Sequence, residues 1–556
     1  MTRDDLFLGV DVGTGSARAG LFTASGKMVA TAMYPIKLWR EGEHTVEQST
    51  NDIWKAVCRA VTEAAKLSGA DAAQVKGIGF DATCSLVVVG HKHQPLTASL
   101  SGDTARDVIM WMDHRAEDQA CRINKIGGVP LAYVGNAISP EMQLPKLLWL
   151  KENLPESFKR AQAFMDLTDY LTWRATGSLN RSSCTVTCKW TYLPHLGGWN
   201  SGFFKKIGLG CLADNDFTRI GSEIMAPGAP LGQGLQRSAA VEMGLMPGTP
   251  VAAGLIDAHA GGLGSLPIED DENRQSGGQV AYVFGTSACL MASTRTQLGV
   301  AGVWGPYWSA MLPDMWLLEG GQTAAGAAID FVLRAHPAWG RANAAAAQEG
   351  LTLLPWLEKR VALRHPTLSP AAVDVARVHS IVDFAGNRSP FADPAARGVI
   401  SGQSLSDDFI SLEKTYVAAL LGVAYGARHI LDALKIAGVP TARIVISGGA
   451  AKSALVRQLL ADATGNPVAR AAVAETVLLG AAMLGAVAAG AKPNLMAARK
   501  DMVSIDDTAL PNPEMVNFHS WKFNAYRVLQ DTERSLWAEY QTQKTGPTAA
   551  ISTATR

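Results

Sequence analysis

The sequence predicts a mixed α/β protein built from two related domains, and three observations support this. At 556 residues the chain is too long for a single hydrophobic core. A glycine-rich turn between two apolar runs occurs at 6–22 and again, about half a chain later, at 279–293. A third glycine-rich loop, at 444–453, follows an apolar run and precedes a helical pattern.

The stretch 6–22, LFLGVDVGTGSARAGLF, is predicted to be a β-hairpin. Residues 6–12 have the length and composition of a strand, 13–16 are turn residues, and 19–22 return as a second strand. The turn does not open a helix, as a dinucleotide-binding GxGxxG must, and it lacks the Gly-Lys-Ser/Thr of a Walker A loop. The tip of such a hairpin exposes backbone N–H groups that can hold phosphate, and Asp11 can hold the magnesium of that phosphate.

Taken alone, this turn could equally be a plain tight turn. The second copy, with Gly285, Thr286 and Ser287 at its tip, favours two related domains that serve one nucleotide. The third loop, with Gly448 and Gly449, could be an ordinary strand-to-helix connection, but beside the other two it suits a nucleotide.

Composition excludes several classes of function. The chain carries 50 basic and 50 acidic residues, so no nucleic-acid or acidic-lipid partner is expected. The first residues contain two acids and no apolar core of a signal peptide, and 477–490 is too short and too rich in Ala and Gly to cross a bilayer. We therefore expect no membrane partner.

Seven scattered cysteines indicate reduced thiols and a cytoplasmic protein. Cys184 and Cys188 have no second pair downstream, and His195 alone does not complete a zinc site.

The apolar patterns predict further elements along the chain. Helices are expected at 51–66, 167–175, 338–350, 412–434, 454–463 and 477–490, and strands at 76–80 and 86–90. A strand-like run at 250–256 precedes Asp257, and Glu319 is expected to close a strand before Gly320 and Gly321 turn into a helix. The acidic, polar stretch 263–279 predicts a domain boundary, and the Thr- and Ala-rich tail 545–556 is expected to be disordered.

Two polar segments are candidates for ligand binding. DATCS, at 81–85, follows a buried strand, where α/β folds place ligands. In WMDHRA, at 111–116, a tryptophan close to an aspartate and a histidine suits the binding of a polyol. The start of a helix with a solvated, charged face would explain the same residues.

The order of DxGT at 11–14, GTS at 285–287 and SGGAAKS at 447–453 resembles the FGGY carbohydrate kinases, within the hexokinase–actin–heat-shock ATPase superfamily. The resemblance runs from about 6 to about 490. It implies two actin-like ATPase (ribonuclease H-like) domains hinged over a central cleft. The N-terminal domain would be 1–265, the C-terminal domain 266–500, and 501–556 a C-terminal extension.

The resemblance also implies ATP and Mg²⁺ as cofactors and assigns roles to residues. Asp257 would be the catalytic base, and Asp11 and Asp257 would hold the metal. His259 could be proposed as the base instead, but it is discounted because it lies two residues further on. Ser453 stands where some members have an asparagine near adenine. The implied nucleotide-binding residues are Gly13, Thr14, Gly15, Ser16, Arg18, Gly285, Thr286, Ser287, Gly326, Gly448, Gly449, Ala450 and Ser453.

Four segments, DATCS, WMDHRA, CKW and EGGQTAAG, together resemble the D-ribulokinase branch and imply D-ribulose as the substrate. Another pentulose or polyol kinase, such as an L-ribulokinase or a xylulokinase, is the alternative within the family. An actin-like or heat-shock-like ATPase switch is the alternative of another class. The resemblance leaves a homodimer open. The implied sugar-binding residues are Cys84, Trp111, Asp113, His114, Lys189, Asp257 and Glu319.

Overall fold

The computed structural model describes residues 5–42, 44–91, 94, 96–268 and 278–545. The acids 269–272 of the predicted boundary and all but the first residue of the predicted disordered tail lie outside the described residues.

The strands, in chain order, are β1 (Leu6–Val12), β2 (Ser16–Thr23), β3 (Met28–Pro35), β4 (Trp39–Glu41), β5 (Thr45–Gln48), β6 (Val75–Ala82), β7 (Leu86–Gly90), β8 (Val108–Ile109), β9 (Ala161–Asp166), β10 (Arg181–Ser182), β11 (Ile224–Met225), β12 (Leu255–Ile256), β13 (Gln279–Phe284), β14 (Ala288–Thr294), β15 (Trp304–Trp308), β16 (Trp316–Gln322), β17 (His379–Ile381), β18 (Val399–Ser401), β19 (Arg443–Ser447), β20 (Val468–Ala471) and β21 (Ile505–Ala509).

The α-helices are α1 (Thr50–Ser68), α2 (Glu117–Ile126), α3 (Gln143–Asn153), α4 (Pro155–Arg160), α5 (Leu167–Thr176), α6 (Ser183–Trp190), α7 (Ser201–Lys206), α8 (Gly210–Ala213), α9 (Arg237–Met243), α10 (Asp257–Ser265), α11 (Gly326–Arg334), α12 (Trp339–Gln348), α13 (Leu353–Arg364), α14 (Phe409–Ile436), α15 (Ala454–Thr464), α16 (Thr476–Ala488), α17 (Leu495–Met502) and α18 (Val516–Thr545).

The chain divides into two compact units, each assembled from separate stretches. The first consists of Met1–Ala281, Met291–Glu319 and Ala471–Asp506, and the second of Tyr282–Leu290, Gly320–Arg470 and Asp507–Arg556. The units are therefore discontinuous in sequence, whereas the predicted domains follow one another along the chain.

The first unit is built on a sheet with strand order β12-β6-β1-β2-β3. Strands β1 and β2 pair antiparallel, so the predicted hairpin is confirmed, and β6 and β12 join in parallel. Alternate apolar residues of β1 share a core with α1, including Leu8, Val10, Ile53 and Val57. A second sheet of this unit has the order β4-β5-β8-β7-β9.

Helix α16 packs directly on the backbone of the main sheet. A Cβ on Gly9 of β1 would lie 2.0 Å from the carbonyl oxygen of Leu478, and one on Gly79 of β6 would lie 1.9 Å from that of Ala481. On another side of α16, a Cβ on Gly480 would lie 2.0 Å from the carbonyl oxygen of Ala260 in α10. The Ala- and Gly-rich composition of this helix thus lets the middles of β1 and β6, and also α10, approach it closely.

Another sheet contains five neighbouring strands in the order β16-β14-β13-β19-β20, and all of β19 and part of each of the other four belong to the second unit. Helix α14 contributes much of this unit's core and contacts α11 and α15. Within the described ranges, α14 is the one helix whose length and composition match a membrane span, and 78% of its most apolar window is buried inside the protein.

Most predicted elements are confirmed to within a few residues, including α1, α5, α14, α15 and α16. The strand-like run at 250–256 is shorter than expected, since only its last two residues form β12. The prediction that Glu319 closes a strand is wrong, because β16 continues to Gln322. Gly320 and Gly321 are needed for close packing instead, since a Cβ on either would lie within 2.8 Å of Ile430 or Ala288.

Candidate active site

Two aspartates meet at the carboxyl ends of parallel strands in the first unit. Asp11 of β1 and Asp81 of β6 are register partners, and both are buried. Burial, followed by the charges of Asp11 and Asp257, raises the pKa of Asp81 well above its ordinary value. Apart from the facing Asp11 carboxyl, the two oxygens of Asp81 have no hydrogen-bond partner among the described residues.

Asp257 joins these two side chains from the start of α10. Strand β12 runs parallel to β6, with Leu255 opposite Asp81, and so places Asp257 near the same sheet edge. Its Oδ1 accepts a hydrogen bond of 2.7 Å from the N–H of Ala258. Burial and the charge of Asp11 raise the pKa of Asp257 to about 6. We call Asp11, Asp81 and Asp257 the carboxylate cluster.

One cation accompanies this cluster. Arg18 lies opposite Asp11 on β2, forms an ion pair with it, and reaches Oε2 of Glu475 at 2.9 Å. Burial alone would lower the pKa of Arg18, but Asp11 and Glu475 raise it above its ordinary value. Three carboxyl groups at the ends of neighbouring strands offer several oxygen ligands together, so the cluster fits a Mg²⁺ ion.

The tip of the first hairpin is solvent-accessible, and hydrogen bonds from two other side chains hold it in place. The N–H of Gly13 donates to the carbonyl oxygen of Ser16 at 3.0 Å, and Gly15 is exposed with nothing within 4 Å of a Cβ position. Trp111 donates its indole N–H to the Thr14 hydroxyl at 3.2 Å, and Gln48 donates to the Thr14 carbonyl oxygen at 3.0 Å. The predicted sugar-stacking tryptophan is therefore anchored on the predicted phosphate turn.

The two polar side chains that follow Trp111 have different environments. Asp113 is fully buried and accepts hydrogen bonds from the Val46 N–H at 2.6 Å and from Arg115 at 2.7–3.0 Å. His114 is partly exposed, with Nε2 3.9 Å from Glu141. The structure thus gives Asp113 internal partners that hold the loop, while His114 is open to a ligand. For both residues, sugar binding stays a prediction.

Lys189 is buried on α6 and stays charged. Its Nζ lies 4.2 Å from the ring centroid of Trp304, and Trp304 is opposite Glu319 in the β15–β16 pair. Burial would lower the pKa of Lys189, but the neighbouring Cys84 and Glu319 raise it above its ordinary value. Burial itself raises the pKa of the Cys84 thiol to about 12, so Cys84 is a neutral neighbour at pH 7.

Glu319 connects to a second group of buried side chains. Its Oε2 lies 3.3 Å from Nε2 of His259, and Nδ1 of His259 lies 3.1 Å from Sγ of Cys184 and 4.0 Å from Sγ of Cys188. Both ring nitrogens of His259 therefore face protein partners, which argues against His259 as the alternative base. His195, weighed as a zinc ligand from sequence, packs instead on the rings of Tyr133 and Trp316.

In the second unit, the second hairpin and the start of α11 form one backbone cradle. The turn from Gly285 to Ser287 joins β13 to β14 and is solvent-accessible. The N–H groups of Ala325 and Ala327 donate to the Thr286 carbonyl oxygen at 2.9 and 3.1 Å, and that of Gly326 donates to Gly285 at 3.1 Å. A Cβ on Gly326 would lie 2.7 Å from the Gly285 oxygen, which explains the glycine.

The third predicted loop reaches the same strand end. Gly448 has φ +87°, and a Cβ there would lie 2.4 Å from the carbonyl oxygen of Phe284, the residue before the hairpin turn. Gly449 is exposed and Ala450 partly so. Ser453 caps α15 by accepting a 3.1 Å hydrogen bond from the Val456 N–H. The predicted nucleotide residues of this half thus assemble within the second unit.

Sequence reasoning did not include Asp81 or Trp304 among the site residues. Asp81 lies in the DATCS segment. Its position at the end of β6, which runs parallel to β1, is the feature that would have identified it as a site residue. Trp304 lies in an aromatic stretch with no pattern of its own, and only its pairing opposite Glu319 places it beside Lys189.

Comparison with known proteins gives consistent matches over most of the chain. Residues 6–264 match the N-terminal domain and 280–489 the C-terminal domain of the FGGY family of carbohydrate kinases. The chain is 43% identical over 535 residues to an FGGY carbohydrate kinase domain-containing protein of Danio rerio, covering 95% of this chain and 98% of that one. It is 36% identical over 520 residues to a D-ribulokinase of Saccharomyces cerevisiae, covering 87% and 72%. It is 30% identical over 552 residues to a ribulokinase of Geobacillus thermodenitrificans, covering 94% of each.

Solved structures support the same fold at low sequence identity. A ligand-bound xylulose kinase from Lactobacillus acidophilus aligns with a TM-score of 0.77 at 19% identity, covering 96% of this chain and all (100%) of that one. A Plasmodium falciparum glycerol kinase with ADP aligns with a TM-score of 0.72 at 15% identity, covering 95% and 98%. The predicted two-domain, actin-like ATPase fold is thereby confirmed.

Proposed function

Because the chain belongs to the FGGY family of carbohydrate kinases, we propose that this sugar kinase phosphorylates D-ribulose, forming D-ribulose 5-phosphate and ADP from ATP. The choice of D-ribulose is supported by the 36% identity to the yeast D-ribulokinase over 520 residues. The observation that carries the chemical part is the convergence of Asp11, Asp81 and Asp257 at one sheet edge of the first unit.

In this proposal Asp257 is the general base. Its carboxylate takes the proton of the attacking sugar hydroxyl as that oxygen bonds to the γ-phosphorus and the bond to the leaving ADP oxygen breaks. A pKa of about 6 leaves most of this carboxyl ionised at neutral pH and still basic enough to accept the proton. Asp257 is only partly buried, so a substrate can reach it.

Mg²⁺ would be held by Asp11 and Asp257, with Asp81 as a third oxygen ligand. When bound, Mg²⁺ neutralises phosphate charge and aligns the phosphates. Arg18 holds Asp11 in place through their ion pair, which fixes one of the ligands before the metal arrives. The turn at Gly13–Ser16, in the same unit as the carboxylate cluster, would offer backbone N–H groups to the phosphates of ATP.

The sugar would be read by Lys189 and Glu319, with Trp111 and His114 near its edge. Lysine only donates and ionised glutamate only accepts, so together they distinguish hydroxyl positions of both kinds. The charge of Glu319 contributes to the raised pKa of Asp257, and the charges of Asp257 and Lys189 both act on the pKa of Cys84, so these side chains interact electrostatically. The proposed location is the cytoplasm, supported by seven scattered cysteines in the sequence that indicate reduced thiols.

The test is ATP turnover by the purified protein with and without a panel of D-ribulose, L-ribulose, D-xylulose and ribitol, with each product identified by mass spectrometry and NMR. We expect negligible turnover without sugar and the highest kcat/KM with D-ribulose. Turnover that ignores every sugar would support an ATPase switch and overturn the kinase proposal. A preference for another member of the panel would overturn only the choice of sugar.

A further inference from the structure

The first unit contains a buried group of metal-binding side chains outside the carboxylate cluster. Cys184 and Cys188 are four residues apart on α6 and so share one face of that helix. His259 lies on α10 and points its Nδ1 at both sulfurs. All three side chains are fully buried. We call this group the thiol–imidazole cluster.

We propose that the thiol–imidazole cluster binds a thiophilic d¹⁰ metal ion, Zn²⁺, through Cys184 Sγ, Cys188 Sγ and His259 Nδ1. Thiolate and imidazole are the ligand types that zinc prefers in proteins. This site is separate from the Mg²⁺ site of the proposed kinase reaction, whose ligands are carboxylates, and it does not depend on the identity of the sugar.

The distances suit this assignment. The three ligand atoms lie within 4.8 Å of one another, with Nδ1 3.1 Å from one sulfur and 4.0 Å from the other. Ligand atoms around one tetrahedral zinc lie about 3.5–3.8 Å apart, given zinc bond lengths of about 2.3 Å to sulfur and 2.1 Å to nitrogen. Side-chain shifts of about half an ångström bring all three atoms to one ion.

The surroundings of the cluster have the features of a supported metal site. Glu319 faces the other ring nitrogen of His259 at 3.3 Å, the arrangement by which a carboxylate orients a metal-bound histidine. The N–H of Ile256 donates to Sγ of Cys184 at 3.5 Å, as backbone amides do to metal-bound thiolates. The tautomer that donates to Glu319 is the one that leaves Nδ1 free to bind the ion.

Charge balance favours an ion at this position. A buried thiolate is costly without a compensating charge, and two thiolates with a neutral imidazole compensate one Zn²⁺ ion completely. The three side chains leave a fourth coordination position. Tyr307 is fully buried on β15, which contacts α6, and its hydroxyl has no hydrogen-bond partner within the described part of the chain.

An ion here would join α6 to α10, the helices that carry Lys189 and Asp257 respectively. It would also fix the ring of His259 and through it the carboxylate of Glu319. The proposed role is therefore structural support beneath the sugar-binding side chains, and the ion takes part in no chemical step.

The experiment uses the full chain without a histidine tag, expressed in medium supplemented with Co²⁺ or Zn²⁺ because the site is buried. We expect about one ion per chain after exhaustive dialysis. The Co²⁺ form should show intense near-ultraviolet thiolate-to-cobalt absorption. Cys184→Ser and Cys188→Ser should each lose that absorption, whereas the control Cys58→Ser, at a half-buried cysteine of α1, should keep it.

X-ray absorption spectroscopy of the wild-type zinc form keeps the proposal testable even if the variants do not fold. Two sulfur neighbours and at least one imidazole nitrogen are expected around the ion. A spectrum with only oxygen and nitrogen neighbours, a wild-type protein that retains no metal, or cobalt absorption that survives both cysteine variants would overturn the proposal. So would a thiol count in denaturant that is two short, since it would show a Cys184–Cys188 disulfide. None of these results bears on sugar phosphorylation.

Discussion

Asp257 concentrates the chemistry of the proposed reaction in one side chain, so its replacement is the first prediction. Asp257→Asn keeps the size and the hydrogen bond to the Ala258 N–H but removes the base. Turnover should fall by about 10²–10⁴-fold while the protein stays folded and binds ATP. The measurement is steady-state kcat together with nucleotide binding by calorimetry.

Asp330→Asn is the matched control, because Asp330 is exposed on α11 and forms an ion pair with Arg334 one helical turn away. Its turnover should equal that of the wild type. If Asp257→Asn folds and turns over normally, the base is another residue and the proposed mechanism fails.

Lys189 provides a second prediction at this scale. Removing its ammonium in Lys189→Ala deletes a buried hydrogen-bond donor of the proposed sugar site, so KM for D-ribulose should rise at least tenfold, about the effect of one lost charged hydrogen bond. KM for ATP should stay within about twofold, since Lys189 is not among the nucleotide residues. Lys205→Ala, at an exposed lysine of α7, is the control. Equal increases in both KM values would indicate a general structural role.

Asp107 yields a prediction about pH and stability. Burial raises its pKa from 3.8 to about 6, although Thr50 donates two hydrogen bonds to it. When a carboxyl group has a higher pKa in the folded than in the unfolded state, the folded protein loses stability as the pH rises from the unfolded-state pKa to the folded-state pKa. The wild type should thus lose about 2 kcal/mol between pH 4 and 7 from this group, and Asp107→Asn should lack that loss. Urea unfolding of both proteins at several pH values measures it, and parallel stability curves would contradict it.

At the scale of residues, the sequence pointed to the two aspartates that lie in recognisable sequence motifs. It missed the third, whose position depends on which strands pair. Asp11 and Asp257 stand beside small-residue turns that a motif can describe. Asp81 joins them only because β6 lies parallel to β1 in one register, and a single sequence does not state which strands pair. Likewise, Asp113 in WMDHRA is predicted to bind a polyol, and only the structure shows that the side chain of Arg115, two residues later, donates hydrogen bonds to both of its oxygens.

At the scale of elements, α16 shows how glycine sets a packing distance. The helix touches the backbone of β1 and β6 at Gly9 and Gly79, where any side chain would overlap a carbonyl oxygen. Its apolar pattern predicted a buried helix, which is confirmed. The facing glycines are far apart in sequence, so the pattern could not show that they meet.

The corresponding prediction compares two glycine substitutions. Gly79→Ala should lower the free energy of unfolding by about 1–3 kcal/mol or more, because a Cβ there would lie 1.9 Å from the Ala481 oxygen. Gly340→Ala, in α12 with nothing within 4 Å of the Cβ position, should be neutral or stabilising by up to about 1 kcal/mol. Urea unfolding measures both. Equal stability of the two variants would contradict the described packing of α16 on the sheet.

For the whole molecule, the sequence predicted the fold class correctly because its hairpins and loops recur in a fixed order. The compact units were harder to predict. Met291–Glu319 and Ala471–Asp506 return to the first unit after the chain has entered the second. Such returns depend on long-range contacts. The sequence shows which faces are apolar but not which other segments they pack against. This matters for function, since Glu319 and Trp304 belong to the same unit as Lys189 and Asp257 only through that return.

The most direct test of the account is the ratio of kcat/KM for D-ribulose to that for D-xylulose, measured with the wild-type enzyme at saturating MgATP. A site that hydrogen-bonds specific hydroxyls leaves buried polar groups unpaired when an epimer binds. We predict a ratio of at least about ten in favour of D-ribulose, about one lost hydrogen bond, with the phosphate on O5. Equal use of the two pentuloses, or a preference for D-xylulose, would contradict the assignment of D-ribulose as the substrate.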